Sequence, residues 1–383
     1  MTRTALVGAR VFDGANILDG HAIVIDGARI AAVVADGAVP SDAQRQRVEG
    51  LLSAGFVDCQ VNGGGGVLFN DETSAAGIAA IAAAHRRFGT TGFLPTLITD
   101  ARPKMAVALA AADAAITAGV PGVLGVHLEG PFLNPERRGV HDPSLMRTID
   151  DADITLLSAP RRGRVLMTVA PEKMPPGAIS RLVAAGVVVS AGHTAATAEI
   201  VRRAFDEGLS GFTHLFNAMP PLTGRDPGPV GAALDDADSY CSVIVDLHHV
   251  SAISLRVAIA AKGWRRIMLV SDAMPTVGAG SDGFILAGQT IMRTADGALR
   301  TENGTLAGAH LDMATAVRNT VTALGLPLEA ALHMASTAPA AYLGLGAEFG
   351  RVAPGHRANL VLLDDALQVA ETWIDGKSSA EAD

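Results

Sequence analysis

The sequence predicts an α/β fold: a (β/α)8 TIM-like barrel with a small β-sandwich domain formed by both chain termini. Along most of the 383 residues, short continuous apolar runs alternate with Ala- and Leu-rich stretches of helical spacing. Buried parallel strands have such runs because both faces of the sheet are covered. At both chain ends, β-type runs are separated by Asp-Gly pairs, which favour tight turns. The length suits one barrel of about 250 residues with an appended domain.

The predicted sandwich takes its strands from both ends of the chain. Near the N-terminus the β-type runs are Ala5–Val11, His21–Ile25 and Arg29–Val34, and near the C-terminus they are Asn359–Leu363 and Glu371–Ile374. Chain termini often lie close together in a folded domain. We therefore expect a sandwich domain of residues 1–52 and 352–383 and a barrel domain of residues 53–351.

Eight apolar runs in the central region have the length of barrel strands. They are Gly55–Gln60, Gly92–Ile98, Val123–Glu129, Val165–Ala170, Val187–Ser190, Gly211–His214, Ser242–Asp246 and Ile267–Ser271. The helical stretches are 75–88, 102–118, 178–185, 196–207 and 251–262, followed by 309–324 and 328–343. Eight such strands, alternating with helical stretches, predict closure into a barrel.

Composition and charge exclude several classes of protein. The net charge of -9 disfavours nucleic-acid binding, which usually requires a basic surface. No apolar run reaches the roughly 18 residues of a membrane span, and the N-terminus does not resemble a signal peptide. The two cysteines, Cys59 and Cys241, form no CxxC pair. A reduced cytoplasmic protein is the expectation.

Four predicted strands end near residues that bind metals or transfer protons: Glu129, His193, His214 and Asp272. The carboxyl ends of barrel strands face one common mouth. One carboxylate and two imidazoles can hold a divalent metal and leave a position open for water, and Asp272 can then transfer protons. Each residue also has a purely structural alternative. Glu129 could pair with Arg137 or Arg138, and His193 and His214 could be core histidines. Asp272 could be the N-cap of a helix.

The motifs around these residues resemble the amidohydrolase superfamily, and within it the N-acetylglucosamine-6-phosphate deacetylases. The matching segments are Gln60-Val61-Asn62-Gly63, His127-Leu128-Glu129-Gly130-Pro131-Phe132, Ala191-Gly192-His193-Thr194, Thr213-His214-Leu215-Phe216-Asn217-Ala218-Met219-Pro220 and Ser271-Asp272-Ala273. The resemblance covers nearly the whole chain. It implies Glu129, His193 and His214 as metal ligands and Asp272 as the catalytic acid–base.

Gln60 and Asn62 occupy the place where many amidohydrolases carry a His-x-His pair. Amides are poor ligands for first-row metals compared with imidazole. The fourth strand also ends without the lysine that bridges two metals in binuclear relatives. The sequence therefore predicts one divalent ion per subunit, with zinc favoured over iron, manganese or cobalt.

The resemblance also implies a set of substrate-binding residues. They are Val140, His141, Asn217, Ala218, Arg225, His249, Leu306, Ala307 and Gly308. Arg225 and His249 would hold the phosphate, which suits a guanidinium on a Gly/Pro-rich loop. A surface pair of Arg225 with Asp226 or Asp235, and a solvated loop position for His141, are the alternatives.

The expected reaction is hydrolysis of the acetamide of N-acetyl-D-glucosamine 6-phosphate, yielding D-glucosamine 6-phosphate and acetate. N-acetylgalactosamine 6-phosphate or another N-acyl amino sugar is an alternative substrate, because the sequence does not show which residue reads the distinguishing hydroxyl. A non-catalytic barrel that only binds ligands is an alternative from another class. The resemblance implies a homodimer, and neither a nucleic-acid nor a membrane partner is expected.

Overall fold

The computed structural model describes residues 3–381, and the first seven strands precede the barrel. Residues 1–2 and 382–383, the outer ends of the two expected sandwich segments, lie outside the described residues. The early strands are β1 (Thr4–Val7), β2 (Arg10–Phe12), β3 (Ile17–Leu18), β4 (His21–Asp26), β5 (Arg29–Ala35), β6 (Gln44–Arg47) and β7 (Leu51–Ala54). Strands β5, β4, β1 and β6 form one sheet in that order.

Strands and helices then alternate through the barrel. They are β8 (Phe56–Val61), the hairpin strands β9 (Gly63–Gly64) and β10 (Val67–Leu68), α1 (Ala75–Arg86), β11 (Thr90–Ile98), α2 (Arg102–Thr117), β12 (Gly125–Glu129), α3 (Asp151–Leu157), β13 (Arg164–Val169), α4 (Ala178–Ala184), β14 (Val188–Ala191), α5 (Ala198–Asp206), β15 (Gly211–Phe212), α6 (Gly228–Asp235), β16 (Tyr240–Val243), α7 (Ala252–Lys262) and β17 (Ile267–Leu269).

Eight of these strands form one parallel sheet within the described chain, in the order β17-β16-β15-β14-β13-β12-β11-β8. A parallel bridge between Val61 and Ala273 brings the two edge strands together and nearly closes the barrel. The sheet consists of the apolar runs read from the sequence, and its strand residues are almost all buried. The predicted (β/α)8 fold is confirmed.

A small antiparallel sheet follows the eighth barrel strand. It contains β18 (Gly283–Leu286), β19 (Gln289–Arg293) and β20 (Leu299–Thr301). The sequence analysis did not predict this sheet, because its outer residues are exposed and no continuous apolar run marks it. Its inner face carries Leu286, Ile291 and Leu299, which are buried. The same apolar cluster contains Val140 and Met274, which line the cavity at the barrel mouth, so the sheet packs there.

The last helices lead back to the first domain. They are α8 (Met313–Thr322), α9 (Leu328–Leu332) and α10 (Ala338–Tyr342). One π-helical turn, His333–Thr337, joins α9 to α10, so the two form one helix close to the predicted 328–343. The chain ends in β21 (Leu360–Leu363), β22 (Val369–Ile374) and β23 (Lys377–Ser378).

Strands from both chain ends share one six-stranded sheet, in the order β23-β22-β21-β7-β2-β3. Strand β7 pairs antiparallel with β21, with Leu52 opposite Leu362. This sheet packs on the four-stranded sheet through a common apolar cluster that includes Leu6, Ile23 and Trp373. The boundaries at residues 52 and 352 stay predictions.

Several predicted element bounds were wrong in detail. The seventh barrel strand is Tyr240–Val243 instead of 242–246, and the eighth ends at Leu269. Helices α3 and α6 were not predicted, since each is only seven or eight residues long and follows a loop rich in Asp or Pro. Strand β6, with the sequence QRQR, has mostly exposed side chains and thus lacks an apolar pattern. No helix among residues 3–381 has both the length and the apolar content needed to cross a membrane.

Gly125 at the start of β12 gives a stability prediction. Its φ is +154°, and a Cβ there would lie 1.9 Å from the carbonyl oxygen of Arg164 in the adjacent strand. Gly125→Ala should lower the free energy of unfolding by about 3 kcal/mol, because both overlap and strain are introduced. Gly119→Ala is the matched control: its φ is +74°, but its Cβ would meet no atom within 4 Å. It should cost only about 1 kcal/mol, and equal losses in urea titrations would contradict the steric argument.

Candidate active site

Glu129, His193 and His214 meet at the carboxyl end of the barrel. Glu129 is the last residue of β12, and the two histidines follow β14 and β15 within two residues. One ligand atom from each lies within 4.8 Å of the others. All three residues are buried. The sequence analysis expected these side chains to converge, and the structure brings them together.

The Glu129 carboxylate is the centre of this cluster. Its Oε1 lies 2.9 Å from His214 Nε2, 3.3 Å from His193 Nε2 and 3.0 Å from the Gln60 amide nitrogen. Burial alone would raise the pKa of Glu129, but hydrogen bonds from the two histidines outweigh it and hold the pKa well below its usual range. The carboxylate is therefore ionised, and the alternative pairing with Arg137 or Arg138 is absent among the ion pairs of the described residues.

Hydrogen bonds outside the cluster set the orientation of one imidazole. His193 Nδ1 donates to the carbonyl oxygen of Arg137 at 2.8 Å, which turns Nε2 towards Glu129. For His214, the backbone N–H is fixed by the Ser242 hydroxyl at 2.7 Å, while Nδ1 is buried without a hydrogen-bond partner within the described chain.

The backbone is strained at three of the site residues. His193, His214 and Asp272 have φ values of 47°, 35° and 50°, in the left-handed region that non-glycine residues rarely adopt. Such strain persists only when the surrounding structure fixes it, and it is common at functional sites. The strained backbone turns each side chain into the barrel mouth directly after its strand.

Asp272 lies beside the Glu129 cluster and is not the N-cap of any helix within residues 3–381. Its Oδ1 accepts hydrogen bonds from Asn62 at 2.7 Å and from Gln60 at 3.1 Å. Burial and the charge of Glu129 raise the pKa of Asp272 from 3.8 to about 6. A carboxylate with such a pKa is suited to accept and return protons near neutral pH.

His141 reaches the same cluster from the loop after β12. Its Nδ1 lies 2.8 Å from the Thr99 hydroxyl, its Nε2 lies 3.7 Å from Glu129 Oε2, and its ring is 4.4 Å from that of His193. Burial and the neighbouring His193 lower the pKa of His141 to about 3, so the ring is neutral. The alternative of a solvated loop histidine is wrong, because only 6% of the residue is exposed.

These side chains surround a cavity of about 480 Å³ at the barrel mouth. The predicted substrate-binding residues that line it are Val140, His141, Asn217, Ala218, His249, Leu306 and Gly308. His249 is held by Asp246, whose Oδ2 lies 2.6 Å from Nδ1. Gln60 and Asn62 are not among the cavity-lining residues of the described chain, but both donate hydrogen bonds to Asp272, which does line it.

Two predicted residues do not line the cavity. Ala307 is fully buried in the apolar cluster under β20. Arg225 lies on an exposed loop, between β15 and α6, and is not among the cavity-lining residues of the described chain. Its alternative partner Asp235 instead lies 3.6 Å from Arg202.

Sequence reasoning missed three residues near the site. Asp58 is fully buried and binds Ser271, the residue before Asp272, through the serine hydroxyl at 2.5 Å and N–H at 3.2 Å. Burial raises the pKa of Asp58 to about 7. Arg137 and Arg300 line the cavity. The two-residue spacing of Asp58 from Gln60 was a usable signal, whereas Arg300 lies on the sheet that was not predicted.

Comparison with known proteins identifies the family. The Amidohydrolase family profile matches residues 51–378, and the NagA composite domain profile matches residues 4–52. The chain belongs to the amidohydrolase family. Amidohydrolases are metal-dependent, and the Glu129, His193 and His214 cluster provides the N and O donors that first-row divalent ions prefer.

Several amidohydrolases are similar to this chain over nearly its whole length. The N-acetylgalactosamine-6-phosphate deacetylase of Shewanella sp. (strain ANA-3) is 40% identical over 98% of this chain and 96% of its own length. The N-acetylglucosamine-6-phosphate deacetylase of Haemophilus influenzae is 34% identical over 97% and 98%. The crystal structure of N-acetylglucosamine-6-phosphate deacetylase from Pasteurella multocida superposes with a TM-score of 0.94, at 34% identity over 98% of this chain and 99% of that chain.

Proposed function

We propose that this amidohydrolase is a metal-dependent deacetylase that hydrolyses N-acetyl-D-glucosamine 6-phosphate to D-glucosamine 6-phosphate and acetate in amino-sugar catabolism. The observation that carries the proposal is the convergence of a Glu–His–His ligand set with Asp272 in one cavity. Relatives with this activity in their names match the chain at 34% identity over nearly its full length.

N-acetyl-D-galactosamine 6-phosphate is the second candidate substrate. It is favoured by the 40% identity to the Shewanella protein of that name. The two sugars differ only in the orientation of one hydroxyl group. Steady-state deacetylation of both, together with other N-acyl amino sugar phosphates, by purified protein with added metal tests the proposal. Turnover of none of them would refute the deacetylase function and favour a barrel that only binds ligands.

The chain is proposed to hold one divalent ion, with zinc favoured over iron, manganese or cobalt. A carboxylate accepts hydrogen bonds only, so the amides of Gln60 and Asn62 must turn their NH2 groups towards Glu129 and Asp272. NH2 groups in these places disfavour a second cation. Binuclear relatives carry a metal-bridging lysine at the end of the fourth barrel strand. In this chain the end of that strand, β13, carries Thr168, which bonds His127 at 2.8 Å and Thr213 at 2.7 Å.

Glu129, His193 and His214 would hold this ion. When bound, such an ion lowers the pKa of water and polarises a carbonyl group. In the proposed mechanism, Asp272 accepts a proton from the attacking water and then returns it to the departing amine. Asn62 and Gln60 hold the carboxylate in position for both transfers. Neutral His141, with Thr99 at its Nδ1, supports the acetyl oxygen as negative charge develops.

The remaining substrate contacts and the assembly are proposals of the same kind. Val140, Asn217, Ala218, Leu306 and Gly308 would enclose the sugar, and His249 would contact the phosphate. Ala307 would support this wall from below. A cytoplasmic homodimer is proposed, in which Arg225 would reach a phosphate across the subunit interface if it contacts the substrate.

Metal titration tests the ligand set. Purified apoprotein should bind about one equivalent of Co²⁺ or Zn²⁺ tightly, and His214→Ala should abolish that binding because it removes one of three ligands. His249→Ala is the matched control, since it also removes an imidazole from the cavity wall but should keep the metal. Elemental analysis that gives two tightly bound ions, both needed for activity, would contradict the single site.

The pH dependence of activity tests Asp272. The residue accepts a proton only when ionised, and its pKa is raised to about 6, so kcat/KM should fall as the pH drops below about 6. Asp272→Asn should lower kcat by roughly 10²–10⁴-fold with metal content unchanged. Near-normal turnover of a fully metallated Asp272→Asn variant would exclude this role.

Arg225→Ala tests phosphate recognition by the exposed loop. A hydrogen bond to a charged group contributes about 1.5–3 kcal/mol, so activity on N-acetylglucosamine 6-phosphate should fall by roughly 10- to 150-fold. Activity on unphosphorylated N-acetylglucosamine should stay the same, because that substrate lacks the contact. Equal losses on both substrates would mean that Arg225 is structural.

A further inference from the structure

The Glu172 carboxylate joins two separate segments at the carboxyl end of the barrel. Glu172 lies in a short 3-10 turn just after β13, the fourth barrel strand. Its Oε1 accepts hydrogen bonds from Asn134 Nδ2 at 2.8 Å and from the N–H of Ala195 at 2.7 Å. Its Oε2 accepts one from the Thr194 hydroxyl at 2.5 Å. Asn134 belongs to the loop after β12, whereas Thr194 and Ala195 directly follow His193, so one side chain connects both segments.

The donors to this carboxylate are buried and depend on it. Thr194 is fully buried and Asn134 is 5% exposed. A buried donor that loses its acceptor is unfavourable, and hydrogen bonds to an ionised acceptor are among the strongest in proteins. The three contacts of Glu172 therefore fix the two segments firmly relative to each other.

His193 is held by the same two segments. Its carbonyl oxygen accepts a hydrogen bond from the N–H of Asn134 at 3.0 Å, and its Nδ1 donates to the carbonyl oxygen of Arg137 at 2.8 Å. Both partners lie on the loop after β12. The backbone of His193 is in the left-handed region, with φ of 47°, and such strain persists only where the surroundings hold it. Glu172 binds that loop through Asn134 and also binds the two residues that leave His193.

We propose that Glu172 is a positioning residue of the metal site: by clamping Asn134, Thr194 and Ala195, it holds the His193 imidazole where a divalent ion requires it. This inference rests on the proposed function, because it takes His193 as a metal ligand. Glu172 is not among the cavity-lining residues of the described chain, so it acts through His193 and not on the substrate. The fourth barrel strand, which supplies none of the three proposed ligands, thus contributes to the site through its following turn.

Titration of the apoprotein with Co²⁺ tests this role without measuring activity. Glu172→Ala should raise the Kd for Co²⁺ by about 10- to 100-fold, as expected when a residue that orients a metal ligand is lost. The visible absorption spectrum of the bound Co²⁺ should also change, because the ligand geometry changes. Glu172→Gln should restore most of the affinity, since its oxygen can still accept from Asn134 and Ala195 and its NH2 group can donate to the Thr194 hydroxyl.

Glu207→Ala is the matched control. Glu207 is half-buried like Glu172, and its Oε1 accepts a hydrogen bond at 3.0 Å from the N–H of Gly177, which lies in the same loop between β13 and α4. This bond involves neither the segment after His193 nor the loop after β12. Glu207→Ala should therefore leave the Co²⁺ affinity and spectrum unchanged. Urea titrations of the metal-free variants measure the loss of stability separately, because a bound ion would itself stabilise the fold.

The outcomes separate positioning of the ligand from a purely structural role. If Glu172→Ala lowers stability but binds Co²⁺ as tightly as the wild type, Glu172 only holds the loops together and the proposal is overturned. If Glu172→Ala does not fold, Thr194→Val removes one of the three hydrogen bonds instead: several-fold weaker Co²⁺ binding supports the proposal, and unchanged binding overturns it.

The same experiment distinguishes this inference from the proposed function. Wild-type protein that binds no Co²⁺ would refute the proposed metal site and the role of Glu172 together. Wild-type protein that binds Co²⁺ but deacetylates no sugar phosphate would refute the deacetylase function alone, and the Co²⁺ affinities of the variants would still decide the role of Glu172.

Discussion

The closure of the barrel between its first and eighth strands is the constraint on which the site depends. The backbone N–H of Asp272 donates to the Gln60 carbonyl oxygen, and those of Asn62 and Gly63 donate to the Ala273 carbonyl oxygen. Beneath them, the buried Asp58 carboxylate binds Ser271. The residues that close the barrel are thus the residues that position the Asp272 carboxylate and its amide partners. Any shift between the first and eighth strands moves Asp272 relative to Glu129.

Three buried carboxylates lie within this small region: Asp58, Glu129 and Asp272. Burial of an ionised carboxylate is unfavourable unless hydrogen bonds or opposite charges compensate. The pKa of Glu129 is lowered, so this carboxylate carries a negative charge. The pKa values of Asp58 and Asp272 are raised, so these two carboxyl groups take up protons more readily. Glu129 stays ionised, as the proposed metal ligand must, and Asp272 has a pKa of about 6, as the proposed proton transfers require. The difference arises because hydrogen bonds from His193 and His214 lower the pKa of Glu129, whereas burial and the charge of Glu129 raise the pKa of Asp272.

Much of this arrangement was predictable from local sequence. Parallel strands bury both faces, so their apolar runs are visible, and residues such as Glu129 and His193 that follow such runs must meet at one barrel end. The predicted cluster followed from that geometry together with the family resemblance. The sheet β18–β20 was not predictable by the same argument, since half of its residues face solvent, and with it Arg300 was missed. The resemblance indicated Arg225, but which cations reach the cavity depends on how loops fold over the mouth, and strand periodicity does not determine this.

The left-handed backbone at His193, His214 and Asp272 has a consequence for how this protein changes over evolutionary time. Each such residue stores strain of order 1–3 kcal/mol, which glycine would release. The fold would therefore gain stability if these positions lost their side chains, and the proposed metal ligands and proton acceptor would be lost in the same step. Selection for stability and selection for activity thus act in opposite directions at three neighbouring positions. A lineage freed from the need for catalysis should drift towards glycine or asparagine there first, while the barrel around them persists.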